Sequence, residues 1–239
     1  MKPIAVFQHT EVGAPGTVLQ ILDSLGRDVR LVRIVDGMPV PSGVSEFGGL
    51  VFLGGYMNAH DELPWIAREM SLIRDAHARG LPVAGHCLGS QLVALALGGQ
   101  VHRHTRPEIG WNQIETADDP VSHEWWGPYA GRVVTTFQWH GDTFVPPSGA
   151  RQIASAAHCE NQAFVLDGRH LLLQSHLEMT PELVELSLQR NGGQLLREHA
   201  AGNPAVASME ETRRLLPERT AEMARMLRRL YSRWIERCQ

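Results

Sequence analysis

Apolar residues over the first hundred positions come in short runs separated by amphipathic stretches. Residues 3–7, 29–35, 48–53 and 81–84 read as buried strands. Between them, residues 16–25 form a plausible helix ended by Gly26. A second helix takes Pro64 in its first turn, carries Ile66, Met70 and Ile73 as an apolar stripe, and stops before Gly80. A third helix-like run, residues 88–97, starts almost directly after the fourth strand and is closed by Gly98-Gly99. Strands alternating with helices at this spacing predict a parallel sheet covered on both faces. Sites in such sheets form at the carboxyl ends of the strands.

The period changes after residue 100. Residues 101–104, 109–115, 132–139, 152–156, 163–166 and 170–173 are short and strand-like, divided by Gly, Pro and Asp turns. No amphipathic helix is expected among them, so this region predicts an antiparallel extension of the sheet. Helical spacing returns at Thr180, a capping residue, with Pro181 in the first helical position and the helix running to about Glu198. After a linker at 201–204, a last helical segment, interrupted near Pro217, carries Met223, Leu227, Leu230 and Trp234. The expected organisation is an α/β domain over 1–200 and a helical extension over 201–239, packed on the domain or on a partner or twin subunit.

Composition narrows the function classes. The chain has 239 residues, 43% of them hydrophobic, and a net charge of −4, which suggests neither a nucleic-acid binder nor a membrane-surface protein. No apolar run approaches the length of a membrane span, and the N-terminal run is too short for a signal-peptide core, so a cytoplasmic protein is expected. Cys87, Cys159 and Cys238 show no metal or redox spacing. Among twelve histidines, His102, His104 and His158 lack a second ligand pair at zinc spacing, so neither metal nor cofactor is expected.

Chemistry concentrates at Gly85-His86-Cys87-Leu88-Gly89-Ser90-Gln91. A strand, a one-residue corner and a helix make the geometry of a nucleophile elbow. At positions two before and two after the corner, a side chain would push helix and strand apart, and both positions are glycine. A cysteine there faces unpaired N–H groups and the positive end of the helix dipole, which favours thiolate. The Leu88 N–H points into the same space, and Gln91 shares the helix face of Cys87. Downstream, His176 and Glu178 are two apart in a strand-like segment and so face one way, as an imidazole and its orienting carboxylate must. Gly54-Gly55 ends the third strand and lets backbone approach a substrate. His140-Gly141-Asp142 offers a second histidine, and spacing alone does not separate it from His176 as a base.

The elbow resembles the G-x-C-x-G-x-Q motif of class I glutamine amidotransferases, and Leu172–Glu178 resembles that family's F-Q-F-H-P-E close, with Ser175 for an aromatic and Leu177 for proline. His140 to Pro147 is similar to its H-x-D-x-x-x-x-P segment. The resemblance, spanning about residues 48–181, implies a three-layer α/β sandwich with a mostly parallel central sheet, flavodoxin-like in kind, and is strongest to stand-alone domains similar to the glutaminase part of GMP synthase. It also implies that Cys87, His176 and Glu178 are catalytic, that Gly55 and Leu88 supply the oxyanion hole, and that Gly54, Gln91, His140 and Gly141 hold the substrate. Tyr56 follows the glycine pair where many members have proline.

The activity so implied is hydrolysis of the γ-amide of glutamine or a γ-glutamyl compound through a thioester. The ammonia would pass to a separate synthetase or other acceptor protein, since no P-loop motif occurs in the chain. A γ-glutamyl peptidase or hydrolase without transfer is the second reading. A dienelactone-hydrolase-like enzyme, with Asp167 and His170 completing a Cys-Asp-His order, is a more distant one, and a non-catalytic binding module is the third class.

Overall fold

Nine strands form one sheet in the order β2-β1-β3-β4-β9-β8-β7-β5-β6 in this computed structural model, which describes residues 1–238. The parallel part joins β1 (Ile4–Gln8), β2 (Val29–Arg33), β3 (Gly49–Phe52), β4 (Val83–His86) and β9 (His170–Leu173). The antiparallel part continues through β8 (Ala163–Leu166), β7 (Arg151–Ser155), β5 (Gln100–Thr116) and β6 (Val133–Val145). Every residue of β1, β3, β4 and β9 is buried, as strands covered on both faces must be.

Alternation along the strands sorts side chains into two cores. On one side Ala5, Phe7, Leu50, Phe52 and Val83 meet α2 (Pro64–Ala78) and α3 (Leu88–Ala96). On the other Ile4, Val6, Val51, Ala84, Leu171 and Leu173 meet α1 (Thr17–Ser24), α5 (Pro181–Ala200) and α7 (Leu216–Ile235). The three-layer α/β sandwich is therefore the observed fold. Helix α7 supplies Met223, Met226, Leu227, Leu230, Tyr231 and Trp234 to the second core, all fully buried. No helix of the described residues is long and apolar enough to cross a membrane.

Two expectations are corrected. The strands at 101–104 and 109–115 are one strand, β5, because the ladder with β6 resumes after a register shift between Arg103 and Glu108. The middle region also contains a helix, α4 (Pro120–Trp126): Asp119 caps it by accepting the Ser122 N–H at 2.9 Å, and Pro120 lies in its first turn. At seven residues it is too short to show periodicity, and burial of Trp125 and Trp126 beside α7 holds it. The break near Pro217 falls at Leu215, between α6 (Met209–Arg214) and α7, with Pro217 in the first turn of α7.

Candidate active site

Strand β4 ends at His86, α3 begins at Leu88, and Cys87 is the whole corner between them, at φ +49°. A left-handed backbone on a residue with a Cβ costs about 1–3 kcal/mol and persists where its surroundings enforce it. Here the Cys87 N–H donates to the Leu173 carbonyl at 2.8 Å, and the Cys87 carbonyl accepts the Gln91 N–H at 3.1 Å. Ser90 Oγ adds two bonds to the Leu173 backbone, at 2.7 and 2.8 Å, so α3 is fastened to β9 directly behind the corner. A Cβ on Gly85 would lie 2.5 Å from the Ser90 nitrogen, and one on Gly89 would lie 2.0 Å from the Phe52 oxygen. Both glycines are therefore required by close approach, for the reason the motif suggested.

The Leu88 and Gly55 N–H groups have no backbone acceptor among the described residues. Both lie beside Cys87: a Cβ on Gly55 would meet the Leu88 side chain at 2.9 Å, and one on Gly54 would stand 3.7 Å from the Cys87 Cβ. Below this loop His9 Nδ1 bonds the Leu53 carbonyl at 3.0 Å, while its Nε2 faces the buried Glu69 carboxylate at 3.0 Å.

After β9 the chain carries Gln174, His176 and Glu178 to one side and buries Leu177 completely on the other. The His176 N–H donates to the Phe137 carbonyl at 2.8 Å, and the Glu178 carbonyl accepts the Thr17 N–H at 2.9 Å, so both backbones are tied to neighbouring elements. A proline at 177 is not needed to hold them. His176 Nδ1–H donates to Glu178 Oε1 at 2.7 Å. The other oxygen, Oε2, accepts from His86 Nδ1–H at 2.8 Å, and His86 Nε2 is hydrogen-bonded to the Tyr231 hydroxyl of α7 at 2.9 Å. A carboxylate only accepts, so the hydrogen of the bond to Glu178 is carried by His86 Nδ1.

Electrostatics follow from that arrangement. Burial works against charge on both Glu178 and His176. For Glu178 it is overcome by His86 and then His176, which hold the carboxyl well below the usual range. For His176 it is overcome by the Glu178 carboxylate and then by charge and hydrogen bonding from Cys87, which raise the imidazole well above 6.5. His176 is thus charged at neutral pH and able to act as an acid.

Gln91 Nε2 donates to the Asp142 carbonyl at 3.2 Å and lies 3.5 Å from Gln174 Oε1, whose amide Nε2 is 3.6 Å from Cys87 Sγ. A cleft with about 700 Å3 of empty space opens over Cys87 and Gln91, walled by Arg103, His140, Gly141 and Asp142. His140 does not serve the thiol: its Nε2 faces Glu108 Oε2 at 2.9 Å and its Nδ1 the Asp142 carbonyl at 3.0 Å. The Asp167–His170 pair lies at the opposite ends of the strands from Cys87, since His170 starts β9 and Val83 N–H of β4 donates to its Nδ1 at 3.1 Å. The Cys-Asp-His alternative is therefore not assembled.

Two clusters bring three metal-ligating side chains together among the described residues, His77-Asp167-His170 and Glu108-His140-Cys159. In the first, burial and then Arg169 and His77 push His170 down to about 3, and its Nδ1 already accepts from Val83. Its Nε2 faces the Arg169 guanidinium at 3.3 Å and His77 Nδ1 at 3.1 Å, so a side-chain cation already stands against it. In the second, both nitrogens of His140 are engaged as above. His86, Gln174, Glu108 and Tyr231 were not singled out by sequence reasoning. Only His86, inside the elbow motif, carried a signal: strand alternation puts it on the α7 side.

The sheet thus brings the Cys87 corner, two N–H groups without a backbone acceptor and a buried His–Glu pair to one place. The model of the class I glutamine amidotransferase family matches residues 16–193, and the chain belongs to that family. The crystal structure of a glutamine amido transferase from Methylobacillus flagellatus superposes with a TM-score of 0.93 at 34% identity, covering 100% of this chain and 96% of that one. A subunit of the glutamine-hydrolyzing GMP synthase of Saccharolobus solfataricus is 29% identical over 68% of this chain and 82% of its own. Gamma-glutamyl peptidase 4 of Arabidopsis thaliana is 24% identical over 87% of this chain and 85% of its own. The protein is accordingly an enzyme of the glutamine amidotransferase class.

Proposed function

We propose that the chain hydrolyses the γ-amide of glutamine, or of a γ-glutamyl compound, through Cys87, His176 and Glu178. One observation carries this reading: a cysteine on a strand–helix corner stands beside an imidazole whose second nitrogen is bonded to a buried carboxylate. The Cys87 sulfur attacks the γ-carbonyl carbon, and the oxygen takes up charge facing the Leu88 and Gly55 N–H groups. The His176 imidazolium gives its proton to the leaving nitrogen as the C–N bond breaks. It then takes a proton from water, which attacks the thioester and releases glutamate. Glu178 holds the ring and stabilises its charge throughout, as the third member of such triads does. Gln91, His140 and Gly141 line the space for the acyl group, and Gly54 lies beside His176.

The ammonia passes to a separate acceptor protein in this reading, supported by similarity to one subunit of a GMP synthase. A second reading, γ-glutamyl hydrolysis with no transfer, is favoured by an apolar slot on the far side of His176. The test is labelling with 6-diazo-5-oxo-norleucine, a glutamine mimic that alkylates the nucleophile of a formed glutamine site. Stoichiometric mass gain at Cys87, prevented by glutamine and absent in Cys87→Ser, is the expected result. Absence of labelling, with Cys87 still alkylated by iodoacetamide, would sink the free-glutamine reading. Replacing His176 with Ala is expected to lower kcat/KM at least about a thousandfold.

A further inference from the structure

The catalytic pair stands between two spaces of opposite character. On the side of Cys87 and Gln91 the cleft is charged, with Arg103 3.3 Å from Asp142 at its wall. On the other side of His176 is a narrower slot with about 400 Å3 of empty space, walled mainly by Val12, Tyr56, Phe137, Trp139 and Met179, with Ser187 and Asn191 as polar side chains. The two spaces share Gly55, Tyr56, Trp139 and Asn191, so one molecule can reach into both. The slot's walls are fixed. Phe137 is bonded through its carbonyl to the His176 N–H, and the Trp139 indole N–H donates to Gln194 Oε1 at 3.0 Å.

Roles follow from which residues each space touches. The acyl group must lie on the Cys87 side, where the thioester forms. The leaving nitrogen must lie against His176, which gives it a proton. Whatever that nitrogen carries therefore points into the apolar slot. Ammonia carries nothing there and makes no use of aromatic walls.

Resting on γ-glutamyl amide hydrolysis as read above, we propose that this slot is an amine-side subsite, and that the preferred substrates are γ-glutamyl amides whose amine bears an apolar group. The chemistry balances with water alone: the Cys87–acyl bond forms as the C–N bond breaks, the amine leaves with a proton from His176, and water then yields glutamate. An apolar substituent moved from water into the slot gains binding in proportion to its buried area. Because it does so beside the proton donor, it also holds the scissile nitrogen in line.

The test compares kcat/KM for γ-L-glutamyl-benzylamide, γ-L-glutamylglycine and glutamine, reading released glutamate in each case. The benzyl and glycine amines are both primary alkyl amines of similar basicity, so a difference reports the subsite. The benzylamide is expected to exceed both others at least about tenfold. Val12→Phe, which fills the slot, and Tyr56→Ala, which removes its solvent-side wall, are each expected to lower the benzylamide-to-glutamine ratio severalfold. Tyr56 is 55% exposed, so its replacement leaves the core intact if Val12→Phe does not fold. Turnover of glutamine with no advantage for the benzylamide would overturn the subsite while leaving glutamine hydrolysis standing, the slot then serving as an exit for ammonia. No glutamate from any of the three would overturn the hydrolytic reading itself.

Discussion

A methyl group added at Gly54 would meet His176 Cε1 at 2.7 Å, closer than real side chains tolerate. Gly54→Ala is expected to lower kcat/KM at least about a hundredfold, because displacing a catalytic group by about an ångström has effects of that size. Near-UV circular dichroism should stay unchanged, which separates this from unfolding. At the same scale, Cys87 is one of the groups that hold His176 protonated. In Cys87→Ala the His176 ring should titrate at a lower pH than in the wild type, measurable by nitrogen-edited NMR, and an unchanged titration would show that the sulfur does not reach the ring. Cys87, His176 and Glu178 could be picked out because elbow glycines and a His-x-Glu pair are local patterns. His86, Gln174 and Glu108 were not, since their partners Glu178, Gln91 and His140 are brought to them only by the sheet.

Helix α7 is the element whose importance exceeds its sequence signal. Its apolar spacing was plain, but nothing in residues 216–235 tells that Tyr231 reaches the Glu178 carboxylate through His86. Tyr231→Phe leaves a buried imidazole nitrogen without its hydrogen-bond partner, and a loss of about 1–3 kcal/mol in urea unfolding is expected. Trp234→Ala removes a fully buried indole and should cost about 3–5 kcal/mol in the same assay. The alternation of strands and helices up to residue 100 was readable because each element is long enough to show its period. The joining of two expected strands into β5 and the seven-residue α4 were not, because a bulge imitates a turn and two turns of helix show no period.

For the molecule as a whole, pH sensitivity comes from buried groups acting in opposite directions. Glu178 is lowered from 4.5, so its contribution to stability is full above that value and is lost as pH falls through the folded one. His176 is raised from 6.5, so its contribution is full below 6.5 and is lost as pH rises through the folded value. His170 is lowered from 6.5 to about 3, so the unfolded chain takes a proton first and stability falls across that interval, by up to about 1.4 kcal/mol per pH unit. His170→Asn, whose side-chain oxygen can still accept the Val83 N–H, should flatten the acid limb of a urea-midpoint profile between those values.

The parallel sheet places β9 beside β4 although almost ninety positions of chain intervene between nucleophile and base. On the ribosome, the elbow cysteine emerges long before any residue that could activate it. The strand that completes its neighbourhood comes only after the whole antiparallel extension has been made, and Tyr231 comes later still. A nascent chain therefore carries the Cys87 thiol well before His176, Glu178 and Tyr231 exist to surround it.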